Sequence, residues 1–127
     1  MTPALNFNGV VAITITVNDT QGTMDSETFI LTVNAINDTP ILTEIGAQVT
    51  DEDTDFSIAL SASDVDIDEN GQTLTFSAVS SDESLVLVST TTDGDGTTGT
   101  LMFDVLDDEN GEADITVTVT DLSLIHI

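Results

Sequence analysis

The chain has 127 residues, about the size of one domain, and it carries 24 Asp and Glu residues but no Lys or Arg. Its formal net charge of −24 excludes nucleic acid as a partner, because binding to phosphates requires a basic surface. An anionic membrane would repel the chain for the same reason, and we expect no membrane insertion because no apolar run is long enough to span a bilayer. Compensating charge must therefore come from outside the chain, and Ca²⁺ suits carboxylate oxygens.

Short runs rich in Thr, Val and Ile alternate apolar and polar residues, which is the period of a half-buried β-strand. Clusters of Gly, Asn and Asp separate these runs and predict turns, including the tip DGDG at 93–96. In chain order, the predicted strands lie around 11–17, 25–33, 56–62, 74–78, 101–105 and 115–119. This number and spacing of strands predicts an all-β fold, a β-sandwich.

A repeat lies within the chain. The segment NGVVAITITVND at 8–19 recurs as NGEADITVTVTD at 110–121, with seven of twelve positions identical. The two segments begin 102 residues apart, at residues 8 and 110, and this distance is the length of a whole β-sandwich domain. We therefore expect residues 1–38 to be the C-terminal hairpin of a preceding repeat, and residues 39–121 to be a repeat that lacks its last strand. Residues 122–127 break the acidic pattern and contain the only histidine, so we interpret them as a non-native tail and not as an edge strand.

Four segments carry a resemblance to a known family: FNGVVAITITVND at 7–19, VNAINDTPIL at 33–42, TDEDTDF at 50–56 and ASDVDIDENGQTLTFS at 62–77. They resemble the tandem repeats of very large bacterial surface and secreted proteins, known as cadherin-like, VCBS-type or bacterial Ig-like repeats. The resemblance implies an Ig/cadherin-like Greek-key β-sandwich. It also implies a structural spacer in an extracellular or cell-surface bacterial adhesin, which acts in cell adhesion or biofilm formation and has adjacent repeats of the same polypeptide as partners.

In cadherins, Ca²⁺ lies at the joint between successive domains. Carried over residue by residue, the resemblance implies that the metal ligands are Asp19, Asn37, Asp38, Glu52, Asp64, Asp66, Asn70 and Asp121. Ala35 and Thr39 replace an acid and an amide of the family's linker, and the mid-domain DRE motif of cadherins has no clear equivalent. We therefore expect this chain to bind fewer Ca²⁺ ions than cadherins do, or to bind them less tightly.

Three interpretations of Ser61–Phe76 stay open. The spacing from Asp66 to Gly71 matches the first half of a helix–loop–helix Ca²⁺ loop, but Ser77 stands where that loop needs a bidentate Glu. The second interpretation is a solvated hairpin turn in which Asn70-Gly71 supplies positive φ. The third interpretation is a cation site at the joint between two domains, formed by Asp64 and Asp66 together with the linker. Closely spaced carboxylates repel each other unless a cation lies among them.

An enzyme is not expected, because the chain has no Cys, Lys, Arg, Tyr or Trp and its only histidine lies in the interpreted tail. Paired carboxylates could hydrolyse glycosides. However, four of the five Phe residues lie on predicted buried faces, so few aromatic rings remain on which a sugar could stack; these four are Phe29, Phe56, Phe76 and Phe103. The alternative function is a recognition module that binds a glycan or protein partner through its loops. The acidity is also typical of a salt-adapted organism, in which case NaCl should stabilise the fold as well as Ca²⁺.

Overall fold

The computed structural model describes residues 2–122, which form two compact units that divide between Ile36 and Asn37. This division falls two residues before the boundary expected from the sequence. The interpretation of residues 122–127 as a non-native tail lies outside the described residues, except that Leu122 is the last residue of a strand.

The first unit contains an antiparallel hairpin of strands β1 (Gly9–Asn18) and β2 (Met24–Val33). None of its described residues, 2–36, is fully buried, because a two-stranded hairpin has no second layer to cover either face. The prediction that Phe29 lies on a buried face is therefore wrong, since its side chain is 44% exposed.

The second unit is a β-sandwich. Its larger sheet has the order β3-β4-β7-β6, and its smaller sheet pairs β5 with β8; all pairs are antiparallel. The strands are β3 (Ile41–Leu42), β4 (Phe56–Ser63), β5 (Thr73–Ser80), β6 (Val86–Asp93), β7 (Thr98–Val105) and β8 (Ile115–Leu122). The prediction of an all-β, Ig-like sandwich is confirmed. All six predicted strands are present, whereas β3 and β6 were not predicted.

The core of the sandwich consists of side chains that alternate along the strands, as the period of two requires. The buried apolar residues are Leu60, Ala62, Leu74, Phe76, Val86, Leu101 and Phe103. At one margin of this core, the ring of Phe56 stacks on that of Phe103, with 4.2 Å between the ring centroids. Every one of these residues comes from β4, β5, β6 or β7, so β8 contributes only half-buried side chains.

A short helix, α1 (Asp66–Asn70), connects the two sheets between β4 and β5. The hairpin-turn interpretation of this stretch is wrong, because β4 pairs with β3 and β7 while β5 pairs with β8. Gly71 does adopt the predicted positive φ, at 67°, but it does so as the C-cap of the helix, where its N–H contacts the carbonyl of Ile67 at 3.2 Å. The helix–loop–helix Ca²⁺ loop is also wrong, since a strand follows Gly71.

The DGDG segment forms the tip of the β6–β7 hairpin, as predicted, with Asp93 opposite Thr98. This tip lies against β5, since the N–H of Leu74 donates to the carbonyl of Asp95 at 2.9 Å. A Cβ added at Gly96 would collide with the backbone carbonyl of Leu74, whereas one added at Gly94 would meet open space. Both glycines have positive φ, 53° at Gly94 and 88° at Gly96.

Replacing Gly96 with Ala should therefore destabilise the sandwich more than replacing Gly94 with Ala. Both variants introduce a side chain at positive φ, which costs about 1 kcal/mol. Only Gly96→Ala also pushes the hairpin tip away from β5, so its total loss should exceed about 3 kcal/mol. Urea unfolding of the two variants measures the difference, and equal losses would show that the contact with Leu74 does not matter.

Candidate functional site

The topology brings several predicted ligands to one end of the sandwich, near the linker. Asp64 follows the end of β4, Asp66 begins α1, and Asp121 lies near the end of β8. The linker residues Asn37 and Asp38 contact these carboxylates directly. We call the set Asn37, Asp38, Asp64, Asp66, Asn70, Gln72 and Asp121 the linker cluster.

The carboxylate of Asp66 is the centre of this cluster and is only 2% exposed. It accepts the backbone N–H of Asp38 at 2.7 Å and the side-chain amide of Asn70 at 2.8 Å. Its own backbone N–H donates to Asp64 Oδ1 at 2.9 Å. Because the chain has no Lys or Arg, the donors seen at this buried carboxylate are neutral N–H groups.

Gln72 joins the linker to the far strand, and the sequence alone did not identify it. Its side chain is 2% exposed, and its Nε2 donates to Asn37 Oδ1 at 2.6 Å and to Asp121 Oδ2 at 3.2 Å. Asn37 Nδ2 donates to the same Asp121 oxygen at 2.7 Å. The available signal was the position of Gln72, at the entrance of a strand whose even-numbered residues Leu74 and Phe76 are buried.

Two buried oxygens of the linker cluster have no hydrogen-bond partner, Asp64 Oδ2 and Gln72 Oε1. A buried polar atom without a partner destabilises the folded state, so a donor or a cation bound to either oxygen would be stabilising. In the arrangement seen, no three acidic or histidine side chains within residues 2–122 lie close enough together to hold a metal ion. The cluster therefore offers carboxylates whose remaining ligands would have to be amide and carbonyl oxygens.

Two further predicted ligands, Asp19 and Glu52, make no recorded hydrogen bond with the linker cluster. Asp19 belongs to the first unit, where its Oδ1 accepts the N–H groups of Gln21 at 2.8 Å and Thr23 at 3.0 Å and so closes the hairpin turn. Glu52 is exposed and precedes β4, whereas Asp64 follows that strand. Eight strand residues separate the two ends by roughly 26 Å. The structure thus brings Asn37, Asp38, Asp64, Asp66, Asn70 and Asp121 together, but not Glu52.

Exposed carboxylates outside the cluster hold turns in the same way. The hydroxyl of Ser84, at 2.6 Å, and its backbone N–H, at 3.0 Å, keep the pKa of Asp82 below the ordinary value of 3.8. The N–H and the hydroxyl of Thr97 lower the pKa of Asp95 likewise. Asp carboxylates in this protein therefore serve as turn acceptors as well as candidate ligands.

The bacterial Ig domain family matches residues 37–123, which is more than half of the chain, so the chain belongs to this family. Domains of this family are typically non-enzymatic structural modules and often occur in extracellular surface proteins. No curated protein and no solved structure matches the chain. Within the described part of the chain, no helix is long and apolar enough to cross a membrane. The sandwich and the family together identify a structural repeat domain.

Replacing Asp66 with Ala should loosen the linker, because it removes the acceptor of the Asp38 N–H and of the Asn70 amide. We expect a loss of about 2 to 4 kcal/mol and an amide of Asp38 that exchanges at least about tenfold faster. Hydrogen exchange followed by NMR measures both. Asp68→Ala is the matched control, since Asp68 lies on the same helix but is exposed; similar effects in both variants would contradict the role of Asp66.

Replacing Ser84 with Ala should raise the pKa of Asp82 towards 3.8, whereas Ser89→Ala on the exposed side of β6 should leave it unchanged. A folded-state pKa below the unfolded value means that the interaction stabilises the fold above the unfolded pKa. That contribution is lost as the pH falls through the folded pKa. Carboxyl ¹³C shifts followed against pH measure the effect, and an unchanged Asp82 titration in Ser84→Ala would refute it.

Proposed function

We propose that this chain is a spacer segment of an adhesin-like surface or secreted bacterial protein, in which Ca²⁺ stiffens the connection between consecutive Ig-like repeats. Membership of the bacterial Ig domain family supports a structural role. The internal repeat of 8–19 at 110–121 supports an array, because its spacing is one whole domain. The partners in this proposal are the adjacent repeats of the same polypeptide.

The observation that carries the Ca²⁺ part of the proposal is the pair of unpartnered buried oxygens beside the linker. Gln72 Oε1 belongs to a side chain that is 2% exposed. Asp64 Oδ2 belongs to the carboxylate whose other oxygen, Oδ1, accepts the backbone N–H of Asp66. Ca²⁺ binds six to eight oxygens and accepts carboxylates, amide oxygens and backbone carbonyls. A cation at this place would supply positive charge in a chain that has no Lys or Arg.

The residues that would hold the ion are the two neighbouring acids Asp64 and Asp66, with amide oxygens from Asn37 and Gln72, because no third acid among residues 2–122 lies close enough in the arrangement seen. In the arrangement seen, two of these amides direct their nitrogen atoms towards Asp121. Turning an amide about its last side-chain bond exchanges its nitrogen for its oxygen, so the same side chains can donate to carboxylates or bind a cation. Because Asn37 lies in the linker, an ion bound there would restrain the linker directly.

Binding of Ca²⁺ to the folded state alone stabilises that state by an amount that grows with the logarithm of the Ca²⁺ concentration once this exceeds the dissociation constant. Extracellular modules bind Ca²⁺ with dissociation constants of about 0.1 to 1 mM. An array of this kind would therefore be stiff in millimolar external Ca²⁺ and slack where Ca²⁺ is scarce. Stiffness set by external Ca²⁺ suits a spacer that has to hold a distal domain away from a cell.

Addition of about 10 mM Ca²⁺ should raise the melting temperature by about 5 to 10 °C over that in EDTA, if the dissociation constant is about 1 mM. Asp64→Asn should abolish most of this increase, because it removes one charge and the unpartnered Oδ2 while Oδ1 can still accept the Asp66 N–H. Differential scanning calorimetry measures both effects.

Asp104→Asn is the matched control, because it removes one charge from an exposed position on β7 and should keep the full response to Ca²⁺. NaCl at equal ionic strength separates specific binding from charge screening. Equal melting temperatures in Ca²⁺ and EDTA would refute the site. An equal increase with NaCl would indicate salt adaptation in place of Ca²⁺ binding.

A further inference from the structure

The two ends of the Gln72 side-chain amide have different surroundings. Its nitrogen, Nε2, donates to Asn37 Oδ1 at 2.6 Å and to Asp121 Oδ2 at 3.2 Å, so both of its N–H groups are used. Its oxygen, Oε1, has no hydrogen-bond partner among the described residues. Because the side chain is only 2% exposed, this oxygen is also shielded from bulk solvent. One end of the amide is therefore fully paired, and the other end is free.

The orientation of this amide follows from Asp121. A carboxylate accepts hydrogen bonds and donates none, so Asp121 Oδ2 faces the nitrogen of Asn37, at 2.7 Å, as well as that of Gln72. With its nitrogen on Asp121, Asn37 presents its oxygen to Gln72, and this contact again requires the nitrogen of Gln72. Turning the Gln72 amide would set its oxygen against two acceptors. Gln72 thus offers Oε1 to a cation without turning.

Gln72 is also held beside the acids of the proposed ion site. Its backbone N–H contacts the carbonyl of Asp66 at 3.4 Å, and the backbone N–H of Asp66 donates to Asp64 Oδ1 at 2.9 Å. The other oxygen of that carboxylate, Asp64 Oδ2, is the second buried oxygen without a partner. Carboxylate and amide oxygens are both ligands that Ca²⁺ accepts. The free oxygen of Gln72 therefore belongs to the same short stretch of chain as the two acids.

The two amides of the proposed site differ in what they have left to offer. Asn37 Oδ1 already accepts the Nε2 group of Gln72 at 2.6 Å, whereas Gln72 Oε1 accepts nothing in the described part of the chain. Asn37 lies in the linker, and its Nδ2 also donates to the carbonyl of Asp38 at 3.0 Å. Gln72 is thus the amide with a free oxygen, and Asn37 is the linker residue that it contacts.

An amide group transmits polarisation from its oxygen to its nitrogen, because resonance joins the two atoms. Binding of a cation to the oxygen makes the N–H groups more positive, so the hydrogen bonds that they donate become stronger. In Gln72 these are the hydrogen bonds to Asn37 and Asp121. An ion on one end of this side chain would therefore strengthen the contacts that hold the linker at the other end.

We propose, as an extension that rests on the proposed Ca²⁺ function, that Gln72 is the residue that couples the ion site to the linker. Its Oε1 is an oxygen ligand, and its Nε2 holds Asn37 against the sandwich. Asp121 is then an anchor for the two amides and not a ligand, because its Oδ2 already accepts two N–H groups. Only an amide side chain combines both roles, since a carboxylate lacks the N–H groups and a thioether lacks both.

Two measurements on the full chain separate ion binding from coupling. Isothermal titration calorimetry with CaCl₂ measures the affinity, and hydrogen exchange of the Asn37 side-chain amide, followed by NMR, measures the order of the linker. In the parent chain, about 10 mM Ca²⁺ should slow this exchange about tenfold if the dissociation constant is about 1 mM. Gln72→Glu should bind Ca²⁺ at least as tightly, because a carboxylate replaces the amide oxygen. In this variant Ca²⁺ should leave the Asn37 exchange unchanged, because Glu has no N–H to donate.

A second variant decides the matter if the buried charge of Gln72→Glu prevents folding. Gln72→Met keeps a side chain of similar length and removes the unpartnered buried oxygen. It should bind Ca²⁺ about tenfold less tightly and should also lose the response of Asn37. Gln48→Glu is the matched control, since it adds the same charge at an exposed glutamine whose amide donates to the carbonyl of Gly46. It should keep both the affinity and the response.

The outcomes distinguish a failure of the coupling from a failure of the ion site. A parent chain that gives no heat with CaCl₂ would refute the Ca²⁺ site itself, and the coupling with it. If the parent chain does bind Ca²⁺, unchanged exchange of its Asn37 amide would overturn the coupling alone. The coupling would equally be overturned by a folded Gln72→Glu chain that fails to bind Ca²⁺ or still shows the tenfold slowing, or by a Gln72→Met chain with the affinity of the parent.

Discussion

A buried carboxylate in a chain that has no Lys or Arg is the constraint on which the linker end of this protein depends. Asp66 is almost completely buried, and the charge of its carboxylate is compensated by N–H donors from Asp38 and Asn70. One of these donors belongs to the linker backbone, so solvating the charge and positioning the linker are the same interaction. The neighbouring Gln72 then ties the linker residue Asn37 to Asp121. The linker is therefore held in place by the hydrogen bonds that its N–H groups donate to the carboxylates of Asp66 and Asp121.

The same chemistry recurs at the surface, where it has a different consequence. Asp19, Asp82 and Asp95 accept N–H groups within their own turns. Asp55 accepts the backbone N–H of Val105 at the end of β7, and Asp53 accepts that of Asp108 in the turn beyond it. These carboxylates fix loops without needing a cation, because they stay solvated. High acidity alone therefore does not mark a metal site. What distinguishes the linker cluster is burial together with oxygens that have no partner.

The hydrophobic core is uneven in a way that follows from the strand order. Strands β4, β5, β6 and β7 supply all the fully buried apolar side chains, while β8 supplies half-buried ones along an open edge. In the hairpin unit, none of residues 2–36 is fully buried.

The amino-acid sequence by itself determined the strands whose alternation is strict, the turn at DGDG and the sandwich class, because a period of two and turn residues are local properties. It did not reveal β6, where the exposed Leu87 interrupts the alternation, or β3, which is two residues long. It suggested Glu52 and Asp66 as ligands of one site, yet only Asp66 lies near the linker. The tertiary structure decided this, because the topology determines which strand ends meet, and β4 separates these two acids by its whole length. Gln72 is part of the cluster for the same reason: only the pairing of β5 with β8 brings its amide to Asp121.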